Sequence, residues 1–547
     1  MSIVAALALA ACGGGGDDNS GGQSGPVQAA TGGTLNYGAD QEPTGFNVNT
    51  SKDSGTAARN VTIAVLPQAF NADPQFKPAM NTALLESAEL TAEEPQTVTY
   101  KIKPNASWSD GTPISAKDFI YNWKQQNGKD DNGALDKDVD VATTTGYEDI
   151  KSITGSDNDK TVTVVFGKKF TDWKSLFTDI IPAHIAEKAK GGWNTGFDKD
   201  LPVSGGPFML QKWNAGKDLT IVRNDKYFGE KSKLDSIVFR FLPDSSAQPP
   251  ALQNKEVDMI YPQPQLDLVQ QVKQNPDITS EINFGLSFEH LTLNFKNEFL
   301  KELAVRQALA KAINRDEIVR RTVGQFDSKA TRLDNRIYLT GQPEYVANAG
   351  EYATQDVAGA QKLLEGAGFT KGADGIYTKG GKKLSLRIST TAGNALREAQ
   401  ESLIQSQAKA AGIDIQIKNA PSDVFFETWL PDGNFDIANF AWVGTPYAIS
   451  SSRANYIMPS DYNYGQYDNP KVKALFDQAN AELDPAAATK LANEADAQIW
   501  ADMATIPLYQ KPTYIAYRNT YVNIHDNSTS DGPFWNAQQW GVKNTAQ

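Results

Sequence analysis

Apolar and polar side chains alternate along several short stretches of the chain, each bounded by turn-forming residues. Because successive side chains of an extended backbone point to opposite faces, this period of two predicts half-buried β-strands. The predicted strands are Val98–Ile102, Val162–Phe166, Leu219–Ile221, Ile237–Phe241, Leu384–Ile388 and Ile413–Ile417.

Between these strands the apolar positions recur every three and four residues, which predicts amphipathic helices. The clearest stretches are Val305–Ala312, Val472–Ala479 and Ala488–Ile499. Asp484 suits the N-cap of the last helix, and Ser115 with Asp118 three residues later predicts a capping box. Strands separated by helices predict an α/β body rather than a β-sandwich or a helical bundle.

Clusters of glycine and proline indicate where this body divides. They lie near residues 74–78, 202–207 and 283–288. At about 150 residues per domain, two to four domains are expected in 547 residues. The last ~40 residues return to strand-like and aromatic sequence, so we expect the C-terminal part to pack back on an earlier domain.

Composition excludes several classes of protein. With 40% hydrophobic and 21% charged residues, the chain has the composition of a globular protein. With a net charge of −13, the chain lacks the basic field that attracts nucleic acid, so no nucleic-acid partner is expected. One cysteine, Cys12, excludes a disulfide framework and a cysteine-based zinc site, and only three histidines remain as imidazole ligands. We therefore expect no metal and no cofactor.

The common catalytic motifs are missing from the sequence. Neither a Gly-x-Ser-x-Gly elbow nor a His-Glu-x-x-His motif occurs. Residues 375–380 have the glycine spacing of a phosphate-binding loop, but Gly381 stands where its lysine belongs, so we interpret the segment as a hairpin. The 10 tryptophans and 19 tyrosines supply rigid contact area. The sequence favours ligand binding over catalysis.

The N-terminus resembles a bacterial lipoprotein signal. A short apolar stretch, Ser2–Ala11, ends in small residues directly before Cys12. The resemblance implies a signal peptide at residues 1–11, lipidation of Cys12, and a flexible tether at residues 12–33. A basic segment before the apolar stretch is missing, which leaves the true start of the signal open. The folded body should begin near Thr34, at the outer face of the bacterial cell membrane.

A series of short motifs, in order along the chain, carries a second resemblance. The most specific joins Thr97–Pro104 with Trp108–Phe119, which combine a strand, an Asp-Gly turn and a capped helix. The others are Gly33–Leu35 with Glu42–Pro43, Gly205–Phe208, Arg223–Phe228, Leu252–Asp258, Val305–Leu309, Leu363–Phe369 and Tyr467–Pro470. From Gly33 to about Tyr517 the chain resembles the extracellular solute-binding proteins of ABC transporters, family 5, the peptide/nickel class.

This resemblance implies a two-lobed, periplasmic-binding-protein-like α/β fold of type II with an extra inserted subdomain. The lobes would close on a ligand by a hinge motion. Lobe 1 would comprise residues 34–75, 202–285 and 506–547, the inserted subdomain residues 76–201, and lobe 2 residues 286–505. These boundaries agree with the breaks that glycine and proline indicate.

The resemblance also implies a ligand-binding strand. The family's contact strand aligns with Asn439, Ala441, Trp442, Val443 and Thr445, and peptide-binding relatives carry an acidic residue in the place of Thr445. In those relatives the acidic residue pairs with the ammonium terminus of the ligand. The alternative interpretation is that Trp442 is a buried wall residue and Thr445 a turn residue.

Four further positions become candidates through the same resemblance. Asp53 lies in a loop of the opposite lobe that contacts the ligand backbone in relatives. Asn394 and Arg397 begin a helix that reaches the far end of the ligand, and Arg453 follows the contact strand. Because Thr445 is neutral, affinity should be insensitive to capping the ligand's amine, unless Asp53 supplies the charge.

The implied function is that of a lipid-anchored, monomeric receptor that captures an oligopeptide or peptide-like solute and delivers it to the transmembrane subunits of an ABC permease. The ligand could instead be an oligosaccharide or another small solute. Chelated nickel is disfavoured by the three histidines. An extracytoplasmic enzyme or a purely structural surface lipoprotein are remote alternatives.

The lipoprotein interpretation predicts that Cys12→Ser releases the protein into the medium or leaves it unprocessed. Two or more acyl chains give durable anchoring, and no other segment of the sequence offers a comparable anchor. Cell fractionation with immunoblotting measures this distribution. Unaltered membrane association of a fully processed mutant would contradict lipidation at Cys12.

Overall fold

The structure is a computed structural model that describes residues 28–544 apart from 74, 131 and 461, without the side chains of residues 245 and 423. The expected signal peptide, Cys12 and residues 12–27 of the expected tether lie outside the described residues. The strands are β1 (Ala29–Ala30), β2 (Thr34–Ala39), β3 (Phe70–Ala72), β4 (Pro78–Met80), β5 (Leu85–Glu93), β6 (Gln96–Ile102), β7 (Ile150–Ser156), β8 (Thr161–Phe166), β9 (Phe208–Asn214), β10 (Asp218–Arg223), β11 (Ser236–Phe241), β12 (Met259–Ile260), β13 (Ile278–Leu293), β14 (Thr370–Lys371), β15 (Tyr377–Lys379), β16 (Lys382–Lys383), β17 (Ser385–Ser389), β18 (Asp414–Ile417), β19 (Ile437–Val443), β20 (Thr505–Arg518), β21 (Tyr521–Val522) and β22 (Gly541–Lys543).

Helices alternate with these strands and cover the large sheet. They are α1 (Thr56–Val65), α2 (Ala116–Gln126), α3 (Ala183–Ala186), α4 (Gly192–Thr195), α5 (Gln248–Gln253), α6 (Leu266–Lys273), α7 (Leu303–Ala312), α8 (Arg315–Arg321), α9 (Val357–Gly366), α10 (Ala395–Ala410), α11 (Ser422–Val424), α12 (Ala448–Tyr456), α13 (Pro470–Ala481) and α14 (Pro485–Asp502).

A ten-stranded sheet runs through the described part of the molecule in the order β18-β17-β19-β13-β20-β12-β2-β11-β10-β9. Its two longest strands, β13 and β20, pair antiparallel in the middle. We call the body around β2 and β9 to β12 lobe 1, and the body around β17 to β19 lobe 2. The long central pair belongs to both lobes and connects them.

The pairing of β13 with β20 is interrupted where the strands pass between the lobes. Regular pairing stops at Phe284 and resumes at Phe288, and residues 285–287 face a single residue of β20. In this gap the Leu286 N–H donates to the Ser528 carbonyl at 2.9 Å instead of to the sheet. Irregular pairing bends a strand pair, so this segment is suited to act as a hinge.

Separate hydrophobic cores support the two lobes. One core joins β2 and β9 to β11 with a four-stranded sheet of order β5-β6-β8-β7, so the inserted segment packs with lobe 1. A second core packs α7, α9 and α10 on β17 and on the lobe 2 ends of β13 and β20. Within the described ranges, no helix has the length and apolarity that crossing a membrane requires.

The periodicity of the sequence located these elements correctly. Each predicted strand overlaps an observed one, and each predicted helix lies within α7, α13 or α14. The capping box forms as expected, because the Ser115 N–H donates to the Asp118 carboxylate at 3.0 Å. Asp484 caps α14 by accepting from the Ala487 N–H at 2.8 Å. The glycine-rich segment contains β15 and pairs antiparallel with β14 and β16 in a small three-stranded sheet, so the expected hairpin is present.

Two expectations about chain breaks differ from the structure. Residues 283–288 lie inside β13 rather than in a linker, because both halves of the strand pair with β20. The folded body begins before Thr34, because Ala29 and Ala30 pair with β22. The C-terminal part packs back on lobe 1 as expected, with Trp540 buried in its core.

The close backbone packing at Gly285 predicts that Gly285→Ala destabilises the folded protein. A Cβ atom at this position would lie 1.9 Å from the Ser528 carbonyl oxygen, so the backbone would have to move. We expect the free energy of unfolding to fall by about 1 to 3 kcal/mol. In the control Gly366→Ala, at the end of α9, the new Cβ meets no atom within 4 Å, and stability should stay equal or rise slightly. Denaturant titration measures both, and equal effects would contradict close packing at Gly285.

Candidate ligand-binding site

A cavity of about 670 Å³ lies between the two lobes. This volume falls within the roughly 300 to 1,000 Å³ of pockets that enclose a small ligand. The lining segments fall within residues 48–59, 70–72, 142–147, 175–179, 286–288, 336–342, 442–455 and 530–531, together with Gln126 and Tyr462. Both lobes and the inserted segment therefore contribute walls.

The wall from lobe 2 is built around Trp442. This residue stands on β19 opposite Phe288 of β13. Its indole lies parallel to the Tyr464 ring, with centroids 5.8 Å apart, and nearly parallel to the His290 ring at 5.9 Å. Burial, and then nearby arginines, lower the pKa of His290 to about 3, so the imidazole is neutral. The aromatic neighbours hold Trp442 in place at the cavity surface.

Strand β19 ends in a tight turn that carries Thr445. The Gly444 N–H donates to the Leu286 carbonyl at 2.9 Å, and a Cβ at Gly444 would lie 2.2 Å from that oxygen. The Thr445 hydroxyl accepts from the Tyr447 N–H at 3.2 Å, as a turn residue does. Thr445 therefore lines the cavity and shapes the turn at the same time.

The wall from lobe 1 carries an ion cluster. Arg59, on α1, donates to the Asp179 carboxylate through one nitrogen and to Asp531 Oδ1, at 2.8 Å, through another. The second oxygen of Asp531 accepts from the Ala72 N–H at 2.6 Å. The Oδ1 atom of Asp179 is buried and has no hydrogen-bond partner. The cluster joins three distant segments of the chain at the cavity.

The loop that carries Asp179 is fixed by hydrogen bonds from both sides. The Phe177 N–H donates to the Tyr147 hydroxyl at 2.7 Å, and Asn49 Nδ2 donates to the Asp179 carbonyl at 3.1 Å. Asp179 itself has a φ of 45°, a left-handed conformation that Asp and Asn tolerate better than most residues. The carboxylate is therefore held in one position.

Hydrogen bonds across the cleft hold the lobes together beside the cavity. They include the Tyr447 hydroxyl to the Lys174 carbonyl at 2.7 Å, the Ser450 N–H to the Asp172 carboxylate at 2.9 Å, and the Thr171 N–H to the Asn480 carbonyl at 2.7 Å. Burial raises the pKa of Asp172. Burial also raises the pKa of Tyr447, so its hydroxyl keeps the proton that it donates. These contacts define a closed arrangement of the lobes.

The structure brings three of the sequence-predicted site residues to the cavity. Trp442, Val443 and Thr445 line it, and the Val443 side chain is 58% exposed. Ala441, which directly precedes Trp442 on β19, is not among the lining residues. Asn439 is fully buried, and its backbone carbonyl accepts from the Thr390 hydroxyl at 2.6 Å.

The cavity lining does not include Asp53, which is 1% exposed. Its carboxylate accepts from the Thr44 hydroxyl at 2.9 Å and packs against Gly45, so it faces its own loop. Burial raises the pKa of this carboxyl. The neighbouring Ser54 lines the cavity instead. The expected carboxylate of the opposite lobe is therefore not at the cavity surface.

The remaining candidates have structural partners away from the cavity. Asn394 caps α10 by accepting from the N–H of Arg397 at 3.2 Å. The Arg397 guanidinium, 5% exposed, pairs with Glu289 of β13 at 3.0 Å. Arg453 pairs with Asp477 and so joins α12 to α13. A direct contact of these three with a ligand stays a prediction.

Sequence reasoning missed the charged residues of the cavity. Arg59 and Asp179 are 120 residues apart, and Arg59 and Asp531 are 472 apart. No local motif marks any of them. Within the described ranges, no group of His, Cys, Asp and Glu side chains is arranged to hold a metal ion.

Comparisons with known proteins agree with this architecture. Residues 79–456 match the family described as bacterial extracellular solute-binding proteins, family 5. The oligopeptide-binding protein OppA of Mycobacterium tuberculosis strain H37Rv is 30% identical over 516 residues, covering 93% of this chain and 85% of the relative.

Solved structures show the same two-lobed fold. The periplasmic EDTA-binding protein EppA superposes with a TM-score of 0.90 at 29% identity, covering 95% of this chain and 98% of that one. The oligopeptide-binding protein AppA of Bacillus subtilis, in complex with a nonapeptide, gives a TM-score of 0.78 at 22% identity, covering 94% and 100%. The expected fold class is confirmed, and the relatives are binding proteins rather than enzymes. The chain belongs to family 5 of the bacterial extracellular solute-binding proteins.

Proposed function

We propose that this protein is the lipid-anchored receptor of an ABC importer, which captures a peptide-like solute between its lobes and delivers it to the transmembrane permease subunits. The observation that carries the proposal is the cavity of about 670 Å³ with walls from both lobes. The similarity to oligopeptide-binding proteins over most of the chain supports a peptide ligand. Membrane attachment rests on Cys12.

The edge of β19 offers a place for an extended ligand. On one side β19 pairs with β13 as far as Val443, but on the other side its pairing with β17 ends at Ala438. From Phe440 onward that second edge has no strand partner in the described part of the chain. An extended peptide that adds to such an edge is held through main-chain hydrogen bonds and leaves side-chain specificity loose.

The alternative within the same class is a non-peptide solute. The likeness to an EDTA-binding protein favours a small chelate, and aromatic residues in the wall would suit an oligosaccharide. The Trp442 ring, however, already stacks on Tyr464 and His290, which covers part of its surface with protein. We therefore place peptide-like solutes first.

Native mass spectrometry of protein purified without denaturation tests the proposal directly, since a closed receptor can retain its cargo. The same protein is then incubated with an equimolar mixture of tetrapeptides Ala-Xaa-Ala-Ala. We expect bound peptides of unchanged mass. Cleaved products would indicate an enzyme, and retention of a sugar or a chelate with no peptide bound would favour the alternative.

Ligand binding should close the two lobes around the hinge. Small-angle scattering of the wild-type protein, with and without the tetrapeptide mixture, should show a smaller radius of gyration in the bound state. The physical reason is that the cavity is complete only when residues of both lobes meet. An unchanged radius at saturating peptide would count against hinge closure.

The hydrogen bond that Asp172 accepts from the Ser450 N–H across the cleft should contribute to the affinity for the ligand. Asp172→Ala removes the acceptor of the Ser450 N–H and leaves that buried donor without a partner in the closed state. A cost of about 1 to 3 kcal/mol corresponds to roughly 5- to 150-fold weaker binding of the tetrapeptide mixture. The matched control Asp172→Asn keeps an acceptor oxygen and should bind nearly as wild type. Calorimetry compares the three proteins, and equal losses in both variants would refute the role of this bond.

A further inference from the structure

The cavity wall contains buried acceptors that lack donors. Among the lining residues, Asp179 Oδ1 and Asn71 Oδ1 are buried and have no hydrogen-bond partner. Both are oxygen atoms that only accept. None of the buried, partnerless donors in the described part of the chain lines the cavity. Two acceptors of the wall therefore lack a donor.

The charges of the cavity wall favour a ligand that carries a positive charge. Arg59 faces two carboxylates, those of Asp179 and Asp531, which leaves one negative charge without a cationic partner. The other arginine of the lining, Arg336, is compensated by the buried carboxylate of Asp496 at 3.2 Å. Lys174 lies over the Phe70 ring, 6.0 Å from its centroid, and does not line the cavity. A buried charge without a partner is costly, so a ligand cation would be stabilised here.

Asp179 and the backbone next to Asn71 are connected through Arg59 and Asp531. Asp531 bonds Arg59 with one oxygen and the Ala72 N–H, next to Asn71, with the other. Arg59 in turn bonds Asp179. Asp179 lines the cavity but is only 3% exposed, and the bonds to its loop hold its carboxylate in a fixed position in the wall. Fixed acceptors lose little entropy when a ligand binds.

We propose that Asp179 is the anchor of a cationic group on the ligand, such as the free amine of a peptide, with Asn71 accepting from the same region of the ligand. The proposal rests on the proposed function, because it concerns the same cavity. It replaces the expectation that a neutral Thr445 makes affinity insensitive to amine capping. The carboxylate comes from the inserted segment rather than from the contact strand or from Asp53.

The first test compares two forms of one probe on the wild-type protein. Calorimetry measures the tetrapeptide mixture Ala-Xaa-Ala-Ala with a free amine and the same mixture N-acetylated. We expect acetylation to weaken binding by about tenfold or more, because it removes a charge-assisted hydrogen bond. Equal affinities would overturn the proposal without the need for any variant.

The second test changes the carboxylate. Asp179→Asn preserves shape and an oxygen for Arg59, and asparagine tolerates the left-handed backbone. It should reduce the difference between the two peptide forms to less than about threefold. The matched control is Asp258→Asn, a buried carboxylate paired with Arg518 at 3.2 Å outside the cavity lining, which should keep the wild-type difference. Persistence of the full difference in Asp179→Asn would overturn the assignment.

Two small probes separate this proposal from the proposed function. Putrescine, a diamine, should raise the melting temperature of the wild-type protein but not of Asp179→Asn, whereas citrate should raise neither. If no peptide binds but putrescine acts through Asp179, the peptide function fails and the cation anchor stands. If no amine-bearing probe acts, or citrate stabilises more than putrescine, the cation anchor is overturned.

Discussion

The pairing of β13 with β20 is the interaction on which the arrangement of the lobes depends. In the order of the large sheet, every path from the strands of lobe 1 to those of lobe 2 crosses this pair. A hydrogen-bonded strand pair resists sliding, because a shift by one residue would turn every buried side chain outward. It bends where pairing is irregular, at residues 285–287 and again between Glu289 and His290. We therefore expect the lobes to open by rotation about this short segment of the strand pair.

The polar contacts that hold the lobes closed are hydrogen bonds rather than ion pairs. Hydrogen bonds at Tyr447 and Ser450 cross the cleft, while no ion pair among the described residues does so. Hydrogen bonds exchange readily with water when the cleft opens, so each contributes only a modest net free energy. The ligand then has to supply the rest of the closing energy. Such a balance suits a receptor that must release what it binds.

Local sequence determined the elements but not the composition of the site. Alternation and capping residues located several of the strands and helices, because those features depend on neighbours only a few residues away. Trp442 and Thr445, which the family resemblance singles out, line the cavity, and their contact with a ligand stays a prediction. Arg397 was an equally plausible ligand contact by its position in the sequence, yet its charge is neutralised by Glu289 of β13. Whether a charged side chain faces a ligand depends on partners that sequence spacing does not reveal.

Asp53 and Asp179 illustrate this limit. Both are aspartates in loops of the same lobe, and both are almost fully buried. Asp53 accepts from Thr44 in its own loop, whereas Asp179 meets Arg59, 120 residues away, at the cavity. Only the three-dimensional path of the chain separates the two cases.

The ion cluster at the cavity also constrains the order of events during synthesis. Arg59 belongs to the first helix of the described body, but its partner Asp531 follows it by 472 residues. Before the segment that carries Asp531 is added, Arg59 and Asp179 form a neutral pair, and the additional negative charge of Asp531 is missing. The negative site that we assign to ligand capture is completed only when the late segment docks. Until then the wall lacks the carboxylate that makes the complete cluster negative.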